Sequence, residues 1–110
     1  MGLTKSERFT EEQNELAALA KVLGHPARIA ILQFLAKQSS CVCGSIVDEV
    51  GLAQATVSQH LKALKSVGLI TGNIEGTSVC YCIDEQKWNE MRTLLTTFLS
   101  QSNSTNGSCC

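Results

Sequence analysis

Six cysteines carry most of the chemistry open to this 110-residue chain, and they come in pairs: Cys41/Cys43, Cys80/Cys82 and Cys109/Cys110. The N-terminal stretch MGLTKSERFTEEQNE has no apolar signal core, so a reducing, cytoplasmic setting is expected. Paired thiols there point to metal binding or redox sensing rather than to structural disulfides. Bridges within such close pairs would in any case staple almost no chain. Cys41-Val-Cys43 is the sharpest signal. Ser40 is the expected N-cap of a short helix, which would put these two thiols at its first and third positions. Free N–H groups and the positive end of the helix favour thiolates there, the form that binds soft metals. Residues two apart on a helix point about 200° apart. One ion held by both should therefore strain or unwind that first turn. Cys109 and Cys110 end the polar tail SQSNSTNGSCC, whose extended reach of about 30 Å could deliver a further sulfur to the same ion, within its own subunit or across to a second. Cys80 and Cys82 are expected on the outer face of a strand, where they could bind a second soft ion, alone or with the tail pair. His25 and His60 are the only histidines, which speaks against a nitrogen-rich zinc site and against a Cys–His nucleophile; no enzyme is expected.

These residues must be positioned by the rest of the chain. Leu16, Leu19, Ala20 and Leu23 recur at helical spacing and Gly24 ends the pattern. Pro26 suits the first turn of a second helix, whose apolar positions Ile29, Ile31, Leu32, Leu35 and Ala36 make it the central buried one. Ile46, Val47 and Val50 give a short amphipathic helix that Gly51 closes. Val57, Leu61 and Leu64 resume the helical pattern until Gly68, which suits an αL cap. Two helices joined by so short a Gly-containing turn form a helix-turn-helix. Leu69 to Ile74 and Ser78 to Ile83 read as two strands around Glu75-Gly76, a hairpin, with Val79, Tyr81 and Ile83 on one face. Asp84 can cap a last helix whose apolar positions Trp88, Met91, Leu94, Leu95, Phe98 and Leu99 make a stripe too wide for one small domain to cover. The expected fold is mainly α with a β-hairpin, a winged helix-turn-helix over residues 1–100 that is dimeric through its first and last helices. Residues 101–110 form a flexible, Cys-ended tail.

Charge supports a nucleic-acid partner only by its distribution. Lys+Arg is 9 and Asp+Glu is 10. Between Leu16 and Val47, however, lie Lys21, Arg28 and Lys37 with no acid, and between Val50 and Ile74 lie Lys62 and Lys65, again with none. A positive face is compatible with that near-neutral total. The longest apolar run is broken at Gln33, so no membrane partner is expected. Residues 52 to 67 would be the recognition helix, entering the major groove by its N-terminal half. Opposite its buried positions stand Ser58, Gln59 and Lys62, flanked by Gln54, Thr56 and His60. Gln59 is the best direct reader, because its amide matches adenine. Thr56, Ser58 and Lys62 suit phosphates or bases, and His60 suits a phosphate or a packing position.

The segments LAKVLGHPARIAILQFL, CVCGSIVDEVGLAQATVSQHLKALKSVGLI and GTSVCYCID together resemble the ArsR/SmtB family of metal-sensing bacterial repressors, over about residues 15 to 100. The resemblance implies a homodimer on a palindromic operator, freed when an inducer binds. Its Cys-Val-Cys box is similar to that of the arsenic and cadmium/lead sensors. That implies trivalent arsenic or antimony as inducer, with cadmium or lead as the alternative, and no organic cofactor. Arsenic sensors of this type often add a third Cys on the same helix, and here that position is Ile46. The Ser or Thr usual at the start of the recognition helix is Ala53, losing a cap worth about 1 kcal/mol. The wing tip NIEGTS has no Lys or Arg, leaving Asn73, Thr77 and Ser78 as its polar contacts beside a repulsive Glu75. Two other readings remain open: a persulfide- or redox-sensing repressor that bridges Cys41 or Cys43 to Cys109 or Cys110, and a thiol-zinc interaction module that regulates no gene.

Overall fold

Thr10 starts the first helix earlier than the apolar spacing suggests. In the computed structural model, which describes residues 6–102, its Oγ1 accepts from the backbone N–H of Gln13 and its own N–H donates to Gln13 Oε1, both at 3.0 Å. This reciprocal capping box fixes α1 at Glu11–Leu23, with Glu11 and Glu12 at the favourable positive end of the helix. A single 3-10 turn, Ser6–Arg8, precedes it. Pro26 opens α2 (Pro26–Ala36), and His25 Nδ1 caps it by accepting from Ala27 N at 3.1 Å. Then come β1 (Val42–Cys43), α3 (Ile46–Val50), α4 (Gln54–Ser66), β2 (Ile70–Glu75), β3 (Ser78–Ile83) and α5 (Glu85–Leu99). Asp84 caps α5 as expected, accepting from Lys87 N at 3.0 Å.

Two glycines set the geometry of the helix-turn-helix. Gly51 ends α3 at φ 75°. Gly68 follows α4 at φ 82°, where its N–H reaches Lys65 O at 2.9 Å and Leu69 N reaches Leu64 O at 3.3 Å. That is the double bond pattern of a Schellman stop, sealed by the buried pair Leu64 and Leu69. Between the two glycines, α4 begins at Ala53 with no side-chain cap, the weakness expected from the sequence. Val57, Leu61 and Leu64 of α4 bury against Ile31, Leu32 and Leu35 of α2, Ile46 of α3 and Leu19 of α1.

The sheet departs from a simple hairpin. Its order is β1-β3-β2, all antiparallel. The expected helix over Cys41 and Cys43 is absent, and Ser40 caps nothing. Instead Val42 pairs with Tyr81 and Cys43 with Cys80. The physical reason is alternation: Val42 enters the core while Cys43 stays exposed, a period of two that only a strand provides. Gly44, at φ 93°, then breaks the chain away from the strand before α3 begins at Ile46. Cys80 is also corrected. It lies on the expected face, opposite Tyr81, but is wholly buried there beside Cys43 of β1 rather than open to solvent.

Candidate nucleic-acid interface and thiol centre

Burying Val57, Leu61 and Leu64 turns the other side of α4 to solvent. Gln54, Thr56, Ser58, Gln59 and Lys62 are all exposed there. Lys65 leans from the same helix over β2, its Nζ near Gly72. A notch of about 360 Å3 separates the start of α4 from the wing, with Gln54 and Ser58 on one side and Thr77 and Ser78 on the other. Asn73 and Glu75 are exposed on the wing, as is Ile74. The candidate groove-reading surface is therefore a row of amides and hydroxyls with lysines at its edge.

His60 lies elsewhere. Although expected among the DNA-facing residues, it is buried on the core side of α4, because it follows Val57 by three positions and so shares the inward face. Arg28 Nε donates to His60 Nδ1 at 3.1 Å, and Arg28 Nη1 donates to Val22 O at 3.3 Å. The rings of His25 and His60 lie 4.4 Å apart, tilted by 49°. Arg28 thus ties the end of α1 to the back of α4, a positioning role the sequence reading did not assign. Burial, and then the charges of His25 and Arg28, hold His60 below the ordinary imidazole value of 6.5. The folded protein therefore takes up this proton less readily than the unfolded chain. Its contribution to stability is complete above about pH 6.5 and is lost as pH falls from there through the lower folded value. An NMR titration should give His60 a midpoint below 6.5, with unfolding free energy falling over the same range; a midpoint at or above 6.5 contradicts this assignment.

The thiols of Cys41, Cys43, Cys80 and Cys82 share one face of the β1/β3 pair and are joined across the strands. Cys41 bonds to Cys82 and Cys43 to Cys80, with Cα separations of 4.5 and 4.1 Å. The sequence reading treated these pairs as separate sites. The overlooked signal is that both are Cys-X-Cys, which on antiparallel strands can register sulfur against sulfur. In this bridged state no group of three or more His, Cys, Asp or Glu side chains among the described residues is arranged to hold a metal ion. Cys109 and Cys110 lie outside the described residues.

A second surface lies on α1 and α5. Leu16, Ala17, Ala20, Leu95, Phe98 and Leu99 line an open apolar groove, and Phe98 and Leu99 are 51% and 69% exposed. Lys87 of α5 also approaches Glu15 of α1 at 3.8 Å. No helix among the described residues is long and apolar enough to cross a membrane.

Residues 25–71 match the family described as "Bacterial regulatory protein, arsR family". An uncharacterised HTH-type transcriptional regulator of Methanocaldococcus jannaschii is 38% identical over 82 residues, covering 74% of this chain and 91% of that protein. The chain belongs to the ArsR family. The HTH-type transcriptional repressor SmtB of Mycobacterium tuberculosis is 43% identical over 63 residues, 57% of this ArsR-family chain but only 46% of SmtB. A solution structure from Mycobacterium bovis, a homodimeric winged helix-turn-helix DNA-binding domain, superposes with a TM-score of 0.64 at 24% identity, covering 99% of each chain. That likeness shows the fold. ArsR-family proteins are DNA-binding transcriptional regulators, not enzymes, and the helix-turn-helix of this chain, α3 and α4, lies within the matched segment.

Proposed function

We propose that this chain is a cytoplasmic homodimeric repressor that reads operator DNA with α4 and releases it when a thiophilic ion, foremost trivalent arsenic or antimony and secondly cadmium or lead, binds its cysteine thiolates. One observation carries the reading: Cys41 immediately precedes, and Cys43 ends, the short β1 segment that leads into α3, with Cys82 and Cys80 of the wing opposite. A chemical change at these sulfurs acts where both DNA-reading elements are held. An ion that prefers the rearranged form weakens operator binding by the same coupling energy, typically about 1–3 kcal/mol or 5–150-fold. The chemistry of the donor set fits, since soft thiolates suit these ions, but capture requires the sulfurs to be reduced first. The earlier picture of a strained helical turn is replaced by a strand pair that must re-space. Cys109 and Cys110 are retained as further donors.

The test is a DNA-shift titration with arsenite on reduced protein. The Cys41→Ser/Cys43→Ser variant should hold operator at arsenite levels that free the wild type. Equal release by both defeats the reading. On the DNA side, Gln59→Ala should weaken specific operator binding by about 5–150-fold, a loss of about 1–3 kcal/mol at one adenine. Binding to unrelated DNA should barely change, and a uniform loss on all sequences would assign Gln59 to the backbone instead. The two cross-strand bridges favour a second reading, a repressor that answers to oxidants or persulfide. Release of operator by polysulfide without metal, with bridge formation seen by mass spectrometry, would select it.

A further inference from the structure

The β1/β3 register makes a four-cornered sulfur patch. Its short edges are the cross-strand pairs, 4.5 and 4.1 Å between Cα atoms. Its long edges join residues two apart on one strand, about 6.6 Å. Tetrahedral thiolate coordination at about 2.3 Å per bond, the zinc value, requires sulfurs about 3.8 Å apart, and a larger ion such as cadmium needs them somewhat farther apart. Along the long edges each sulfur then leans inward by about 1.4 Å, within the swing of one χ1 rotation. Across the short edges the sulfurs relax outward from their bonded separation of about 2.0 Å. A tetrahedron also closes both diagonals, so one diagonal pair of sulfurs must rise above the other as the side chains rotate about χ1. Cys80 is fully buried and gives the patch a dry floor, while exposed Cys43 gives an ion its approach. Thr71 Oγ1 stands 3.7 Å from Cys82 Sγ, able to donate a hydrogen bond to a thiolate there.

We propose that Cys41, Cys43, Cys80 and Cys82 form a single four-thiolate site for one soft divalent cation of the cadmium type, open only when both bridges are reduced. The proposal rests on the thiophilic-ion reading above and names its ligand set for a divalent cation, for which Cys109 and Cys110 are not needed. In chemical terms, each bridge takes two electrons and two protons from a dithiol reductant, which leaves as its own disulfide. The four thiols so formed bind the cation and lose four protons to solvent, leaving a tetrathiolate centre of net charge −2. The same four sulfurs therefore serve either as two covalent bridges or as one ion cage, and oxidation closes the cage.

The experiment uses the full chain, reduced with a dithiol, freed of reductant without air and loaded with cadmium alone. X-ray absorption should count about four sulfur neighbours in the wild type, a number that depends on no variant. Cys109→Ser/Cys110→Ser should keep about four, Cys82→Ser should fall to about three, and Cys80→Ser/Cys82→Ser to about two. A wild-type count of two or fewer, a count unchanged in Cys82→Ser, or equal cadmium uptake by the bridged protein overturns the proposal. A four-sulfur count without any release of operator keeps this site and defeats the ion-release reading. Full release of operator by cadmium in Cys80→Ser/Cys82→Ser overturns this ligand set and leaves that reading standing.

Discussion

Replacing Phe98 and Leu99 by Glu is expected to turn the protein into a folded monomer and to lower its affinity for a palindromic operator by about 1000-fold or more, the lower end of the gap between specific and non-specific binding. Both side chains are largely exposed in the single chain, so the substitutions remove nothing from its core. What they remove is the apolar end of α5, which lines a groove with Leu16, Ala17 and Ala20 of α1. A second copy covering this groove buries the exposed aromatic ring and leucine of each protomer, at roughly 25 cal/mol per Å2 of apolar surface. Carboxylates there would have to be desolvated without partners. A monomer touches one half-site and loses every contact to the other. Sedimentation and DNA-shift measurements on the double variant decide the point. A dimer with wild-type operator affinity places the interface elsewhere.

Reducing both bridges should cost about 4 kcal/mol of folding stability, and opening either one alone should cost well under that. The bridges close loops spanning 41 and 37 residues. On the chain-entropy account a loop of that size is worth about 4 kcal/mol, a large share of the 5–15 kcal/mol typical of a whole domain. The two loops are nearly the same loop. Once Cys41 is tied to Cys82, the Cys43–Cys80 bond restricts only a few further residues. Denaturant unfolding of oxidised wild type, reduced wild type and the Cys43→Ser/Cys80→Ser variant should therefore be strongly non-additive. A fall below about 1 kcal/mol on full reduction would show that the unfolded chain is not held by these links.

Much of this was legible in the residues. Pro26, Gly51, Gly68 and Asp84 each have one physical use, and each performs it where expected. The apolar spacing on α4 fixed which side chains it exposes. His60 was grouped with the DNA-facing residues although packing was one of its two readings, and the signal for packing was present, since Val57, His60, Leu61 and Leu64 complete a single inward stripe. β1 was not legible in the same way. Two residues are too few for a period to be recognised, and their partner strand lies nearly forty residues on. Cys-Val-Cys satisfies a helix start locally, and only pairing with the mirror-image Cys-Tyr-Cys on β3 shows otherwise.

That short third strand changes what kind of object the wing is. An isolated two-stranded hairpin is barely stable and swivels on its base. Here its inner strand is laced to the peptide leading into α3, so the wing and the helix-turn-helix, the two parts proposed to grip DNA, are fastened to each other. Loosening the lacing would restore independent play to both, and a protein whose two gripping parts drift out of step loses its hold even if neither is damaged.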